Sequence, residues 1–180
     1  MWDFDSTKSG LHVFGDWRGY YASVLRWHAR LRAFSESAHV YETPTAAHFD
    51  DTFAFFVTCF HVADWLENDG AVPKRVAKSY VARTLPLMLC RDLCNGSKHA
   101  VLTQKPSVLG FKIGREYRGG FFITFAWEDP DPSYVNAAAK PGDEHRRTDL
   151  YRVQDLAHQC ITAWEAFFTM HSLDPSAATV

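Results

Sequence analysis

The segment from residue 46 to residue 66 carries apolar side chains on two sides of a predicted helix. At helical spacing these side chains form two stripes: Phe49, Phe53, Phe56, Phe60 and Ala63 in one, and Phe55, Cys59, Val62 and Leu66 in the other. A helix that is apolar on two sides has to be covered on two sides. We therefore predict that this second helix lies at the centre of a helical bundle.

Two neighbouring segments have the periodicity of amphipathic helices. The first helix should begin after Asp16, a suitable N-cap residue, and end around residues 36–39. The third should begin at Pro73, and the internal Pro86 should kink it or break it into two.

The pattern changes to strand-like alternation after the third helix. Residues 108–127 contain two β-branched and aromatic runs separated by glycines, which predict a β-hairpin. Residues 128–147 are rich in proline and acidic residues and predict a loop. The last helix should start near Thr148 or Asp149 and continue to about residue 173.

These elements predict a mainly α fold, a four-helix up-and-down-type bundle with a β-hairpin inserted before the last helix. One domain should span residues 1–173, and residues 174–180 should form a flexible tail. A hairpin of this size is too small to fold alone, so it must lean on the bundle or on a partner.

Composition excludes several classes of protein. The net charge of −2 gives no global electrostatic attraction to nucleic acid. The four cysteines form no C-x-x-C motif and are expected to be buried free thiols, as in a reducing compartment. The chain shows neither a signal peptide nor a membrane-length apolar run, so we expect a cytoplasmic protein with no membrane partner.

Polar chemistry concentrates in the segment Leu89-Cys90-Arg91-Asp92-Leu93-Cys94-Asn95-Gly96-Ser97-Lys98-His99. If this segment is helical, Arg91, Asn95 and His99 are four residues apart along one face. The simpler interpretation is an ordinary helix end. Asn95-Gly96 is a stop signal, and Lys98 and His99 suit the negative end of a helix dipole.

A second polar pair interrupts the apolar pattern of the central helix. His61 and Asp64 lie three residues apart and therefore share a face. Burying such a pair costs several kcal/mol unless a partner compensates. We expect that partner to be the Arg91–His99 segment, so the two polar sets should meet.

The segment Arg91-Asp92-Leu93-Cys94-Asn95-Gly96-Ser97-Lys98-His99 resembles the signature of the HEPN superfamily, small helical bundles of bacterial toxins, antiphage systems and RNA-processing proteins. That signature is an Arg, commonly followed by Asn, Asp or His, and then a His after four to six residues. Seven residues intervene here, which turns His99 about 80° away from Arg91 in an ideal helix. A break at Asn95-Gly96 would correct this direction.

The resemblance implies metal-independent RNA cleavage without a cofactor. His99 would act as general base or acid, and Arg91 would stabilise the charge of the phosphorane. Asp92 or Asn95 would orient that pair, while Lys98, His61 and Asp64 would bind substrate or support the site. Members of the family pair their third helices in a homodimer, and the protein partner of such a toxin is an antitoxin or another defence component.

Two alternatives to the nuclease remain. The first is a catalytically inert HEPN-like module that binds a protein partner or a nucleotide. The second is a metal-dependent bundle hydrolase that uses His61, Asp64, Asp92 and His99 as ligands, although the chain has no E-x-x-H pair. Cys94, close to His99 in the sequence, is a weaker candidate nucleophile.

The oligomeric state gives a first test. We expect a homodimer, because the central helix and the hairpin would otherwise leave apolar surface uncovered. Light scattering at micromolar concentration should report twice the chain mass, and a monomer would argue against a site shared between two copies.

Overall fold

The computed structural model describes residues 12–37, 46–98, 110–115, 121–128 and 146–176. A short 3-10 helix spans His12–Phe14, and the remaining elements follow it in this order: α1 Trp17–Ser37, α2 Ala46–Asn68, α3 Val76–Val81, α4 Leu85–Lys98, β1 Gly110–Arg115, β2 Phe121–Glu128, β3 Arg146–Arg152 and α5 Val153–Met170. Within these ranges, we find no helix that combines the length and the apolar character needed to span a bilayer.

The central position of α2 is confirmed. This helix packs against α1, α3, α4 and α5. Phe55 and Phe56, which belong to different stripes, are both buried within a single core cluster. On the α5 side, the fully buried Trp164 donates its indole N–H to the carbonyl of Cys59 at 3.2 Å. The buried indole N–H of Trp164 therefore has an acceptor, as an aromatic residue with a polar atom needs inside a core.

The start of α1 is also confirmed. The Oδ1 atom of Asp16 accepts hydrogen bonds from the backbone N–H groups of Arg18 at 2.9 Å and Gly19 at 3.1 Å. These are two of the amide groups that a helix leaves without partners in its first turn. Burial raises the pKa of Asp16, but the bonds from Gly19 and Arg18 outweigh it and hold that pKa below its ordinary value.

The third predicted helix is broken into two, as Pro86 indicated. α3 ends at Val81, and α4 begins at Leu85 with Pro86 in its first turn, where a missing N–H costs nothing. The predicted start at Pro73 is early by three residues. α2 continues beyond residue 66 to Asn68, and the buried Glu67 accepts the backbone N–H of Lys78 at 3.0 Å.

A β-hairpin precedes the last helix as predicted, and a third strand extends it. β2 pairs antiparallel with both β1 and β3. The predicted loop over residues 128–147 and the predicted helix start at Thr148 or Asp149 are therefore wrong at their boundaries. Leu150 lies three residues before Val153, a spacing that also fits a helix, yet Leu150 is 56% exposed and belongs to β3.

The sheet packs against the helical bundle of its own chain. Ile123 and Phe125 of β2 are fully buried and belong to the same core cluster as the helices. Phe125 also contacts the ring of Tyr151 in β3, with the ring centroids 5.7 Å apart. The first stripe of α2 is only partly covered, because Phe49 is exposed and Phe53 and Phe60 are half-buried. The homodimer stays a prediction.

The segment after α5 is partly anchored. The Nε atom of Arg18 in α1 donates to the carbonyl of Asp174 at 3.0 Å, and Leu173 packs against the core. The flexible tail over residues 174–180 stays a prediction: residues 174–176 are described, and the last four residues lie outside the described part of the chain.

All four cysteines are free and buried, as predicted. Burial raises the pKa of the Cys90 and Cys160 thiols, so both retain their protons near neutral pH. The Cys90 thiol donates to the carbonyl of Phe56 at 3.2 Å, and the Cys160 thiol donates to the carbonyl of Pro86 at 3.3 Å.

The N-cap of α1 gives a test of this fold. Asp16→Ala should lower the free energy of unfolding by about 0.5–2 kcal/mol, because two first-turn N–H groups lose their acceptor. Chemical denaturation near neutral pH measures this change. The matched control is Asp50→Ala, which removes an exposed carboxylate from α2; equal losses in both variants would contradict the capping role.

Candidate functional site

Arg91 and Asp92 form an ion pair at the surface of α4. The Asp92 side chain is only 1% exposed, and that of Arg91 is 26% exposed. Both the Nε and the Nη2 atoms of Arg91 donate to Oδ1 of Asp92, at 3.1 Å and 3.0 Å. Two bonds to one buried oxygen fix the plane of the guanidinium and leave the Arg91 side chain partly in solvent.

His61, Asp64 and Lys78 form a second polar group where α2 meets α3. The Nδ1 atom of His61 lies 2.8 Å from Oδ2 of Asp64, and the Nζ atom of Lys78 lies 2.8 Å from Oδ1. Burial raises the pKa of Asp64, but the hydrogen bonds from Lys78 and His61 outweigh it and lower that pKa below its ordinary value. Asp64 is therefore ionised at neutral pH.

This carboxylate fixes the tautomer of His61. An ionised carboxylate only accepts hydrogen bonds, so Nδ1 of His61 must carry a proton. In the neutral imidazole, Nε2 is then a proton acceptor. The Nε2 atom lies 4.0 Å from the Sγ atom of Cys94 in α4. The arrangement orients an imidazole between a carboxylate on one side and a thiol on the other.

The His61/Asp64 pair reaches the Arg91–His99 segment through a contact between His61 and Cys94. The contact between His61 and Cys94 joins α2 to the Arg91–Lys98 part of α4, which confirms the expected contact for His61. Asp64 binds Lys78 of α3 with the oxygen that His61 does not use. Lys78 was missed by the sequence reasoning because no spacing rule relates a residue of α2 to one across the turn between two helices.

The structure describes only some of the other predicted site residues. Asn95 lies one turn after Arg91 on α4 and is half-buried. Lys98 is the last residue of α4, and His99 lies outside the described residues.

The stop signal at Asn95-Gly96 does not end the helix. α4 continues through both residues to Lys98. A glycine inside a helix costs only about 1 kcal/mol, which the burial of Leu93 and Cys94 in the same turns offsets. The break that would turn residue 99 towards Arg91 therefore does not occur between residues 91 and 98.

The metal-hydrolase alternative finds little support in the described residues. His61, Asp64 and Asp92 do not converge there as a group of possible metal ligands. Each oxygen of Asp64 already faces a hydrogen-bond donor, Lys78 on one side and His61 on the other. A divalent cation at Asp64 would have to displace the ammonium group of Lys78.

Comparisons with protein-family models, with curated proteins and with solved structures found no match.

The Asp64–Lys78 pair gives a pH-dependent prediction. Asp64→Asn should lower the free energy of unfolding by about 0.2–1 kcal/mol near neutral pH, the range of a partly exposed ion pair. The folded-state pKa of Asp64 lies below 3.8, so its contribution is present above that pH and is lost as the pH falls through the folded-state pKa.

Urea denaturation of wild type and Asp64→Asn near neutral pH and at about pH 2 measures this effect. The difference between the two proteins should shrink at the acidic pH. A difference that is the same at both pH values would contradict the role of the charge, and a double-mutant cycle with Lys78→Met isolates the partner.

Proposed function

We propose that the protein cleaves RNA without a metal ion, at a site that combines Arg91 of α4 with His99 and is supported by α2. The observation that carries this proposal is the Arg91–Asp92 pair. A carboxylate at 1% exposure holds a guanidinium that is itself partly exposed. Burying a carboxylate costs desolvation free energy that an ion pair with a partly exposed cation offsets only in part, so the pair adds little to stability. The buried carboxylate does, however, hold that cation in a fixed position.

A fixed guanidinium suits phosphoryl chemistry. When the 2′-hydroxyl of RNA attacks the neighbouring phosphate, negative charge builds on the equatorial oxygens of the phosphorane. Donors that are positioned before the reaction stabilise this charge without reorganising. In this proposal Arg91 is that donor, Asp92 holds it in place, and Asn95 and Lys98 contact the substrate on the same helix.

Two proton transfers accompany this cleavage, one from the 2′-hydroxyl and one to the 5′-oxygen. His99 takes one of these roles by the family resemblance. His61 contacts the motif segment through Cys94, and its Nδ1–Asp64 contact orients it as a general base is usually oriented. We assign His99 to direct proton transfer and His61, with Asp64, to support or to the second transfer.

The inert HEPN-like binding module is the second candidate. The net charge of −2 and the seven residues between Arg91 and His99 are the observations that support this candidate. In this version Arg91 would bind a phosphate or carboxylate of a nucleotide or protein partner without turnover. A place in a toxin or antiphage system, an antitoxin partner and a homodimer with a shared site follow from the family resemblance in either version.

Cleavage of a mixed RNA pool with a chelator present tests the proposal. Wild type should cleave, and His99→Ala and His61→Ala should lose activity, by about 10²–10⁴-fold if the residue transfers a proton. The matched control is His158→Ala, which removes an exposed imidazole of α5 from outside the site. Melting temperatures of all variants separate lost chemistry from lost folding.

Arg91 needs a separate variant because Arg91→Ala would remove one charge partner of the buried Asp92, which can cost about 3–5 kcal/mol of folding stability. Arg91→Lys keeps the charge but cannot make both bonds to Oδ1, so activity should fall while the fold remains. Activity that the chelator abolishes would support the metal hydrolase. A wild type that binds RNA or a nucleotide without cleaving it would support the binding module.

A further inference from the structure

Three cysteines from three different helices bring their sulfurs together in the core. Cys59 belongs to α2, Cys90 to α4 and Cys160 to α5, and their Sγ atoms all lie within 4.8 Å of one another. Each residue is 0% exposed. Over the described ranges, this is the one place where three or more side chains of the metal-ligating types converge.

Core packing alone explains the size of these residues but not their chemistry. A buried thiol behaves as a small apolar group, and alanine or serine would fill much of the same space at a helix crossing. Each of the three helices nevertheless contributes sulfur to the same point. Cys94, the fourth buried cysteine, lies elsewhere and contacts His61.

We propose that Cys59, Cys90 and Cys160 bind one soft, thiophilic cation, with Cu(I) as the preferred ion. Sulfur ligands select Cu(I) and Zn(II) over harder ions. A cation with three sulfurs at about 2.3 Å, in a planar arrangement, holds those sulfurs about 4.0 Å apart. The observed limit of 4.8 Å therefore requires only a small contraction of the triangle.

The number of ligands favours Cu(I) over Zn(II). Structural zinc sites are almost always four-coordinate and use nitrogen, sulfur or carboxylate ligands. Cu(I) accepts three-coordinate sites, and the described residues supply three sulfurs. This inference goes beyond the proposed function and does not depend on it, although Cys90 precedes Arg91 directly, so a bound ion would also restrain α4.

Binding exchanges protons for the cation. Two thiols lose their protons to the buffer and bind as thiolates, and the third binds through a sulfur lone pair with its proton retained. The site then carries a net charge of −1, and the oxidation states of copper and sulfur do not change. On binding the ion, Cys90 and Cys160 lose their hydrogen bonds to the carbonyls of Phe56 and Pro86. These two carbonyls lie inside helices and keep their backbone partners.

Complete burial determines how the ion enters. A cation cannot reach the sulfurs without separation of α2, α4 and α5, so loading should accompany folding. We expect protein that is refolded with Cu(I) to hold one ion per chain, whereas folded protein exposed to the same Cu(I) should load far more slowly. Because bound Cu(I) favours the folded state, the loaded protein should also melt at a higher temperature.

The test uses the full chain, reduced and kept without oxygen, and refolded with Cu(I) buffered by a colorimetric chelator. Wild type and Cys94→Ser, the matched buried control, should retain one copper ion per chain, and Cys59→Ser, Cys90→Ser and Cys160→Ser should lose it. Equal retention by Cys90→Ser, or an equal loss in Cys94→Ser, would overturn the proposal.

A second measurement needs no variant, so a variant that fails to fold does not decide the question. Alkylation of wild type in mild denaturant, read by mass spectrometry, should be slowed by Cu(I) more strongly at the three cysteines than at Cys94, where protection reflects only the added stability of the folded state. Protection that is absent, or that is equal at Cys94, would overturn the proposal. Tighter binding of Zn(II) than of Cu(I) in parallel titrations would overturn the three-coordinate assignment.

Discussion

The burial of α2 is the constraint on which the rest of this structure depends. Its two apolar stripes require cover on both sides, and α1, α3, α4 and α5 contribute to that cover. Trp164 illustrates this requirement for close packing. Its indole is fully buried and still donates a hydrogen bond to the backbone of α2. The sheet completes the enclosure by adding Ile123 and Phe125 to the same core.

The polar groups of the candidate site depend on this arrangement. α2 is tightly packed, so a polar pair within it must find its partners at the edge of the contact. His61 and Asp64 do so in the last turns of α2, where Lys78 of α3 and Cys94 of α4 come within reach. The imidazole is thereby oriented by three separate helices, and the precision of the site is a property of the packing.

The main features of the fold could be predicted because each has a local cause. The stripes of α2, the cap at Asp16 and the break at Pro86 are each determined by residues that lie close together in the sequence. The strand β3 could not be predicted, because Leu150 fits a helical and an extended pattern equally well and only its pairing with β2 decides. Lys78 could not be placed at Asp64 for a related reason: that ion pair depends on the turn between two helices.

The long separation between α2 and α5 has a consequence for synthesis in the cell. The side of α2 that Trp164 covers cannot be covered until α5, which ends about a hundred residues later, has left the ribosome. At bacterial and eukaryotic elongation rates, this delay is roughly 5–20 s. During that time the nascent chain presents one uncovered apolar side of α2, so premature termination before α5 should yield a product that aggregates or is bound by chaperones.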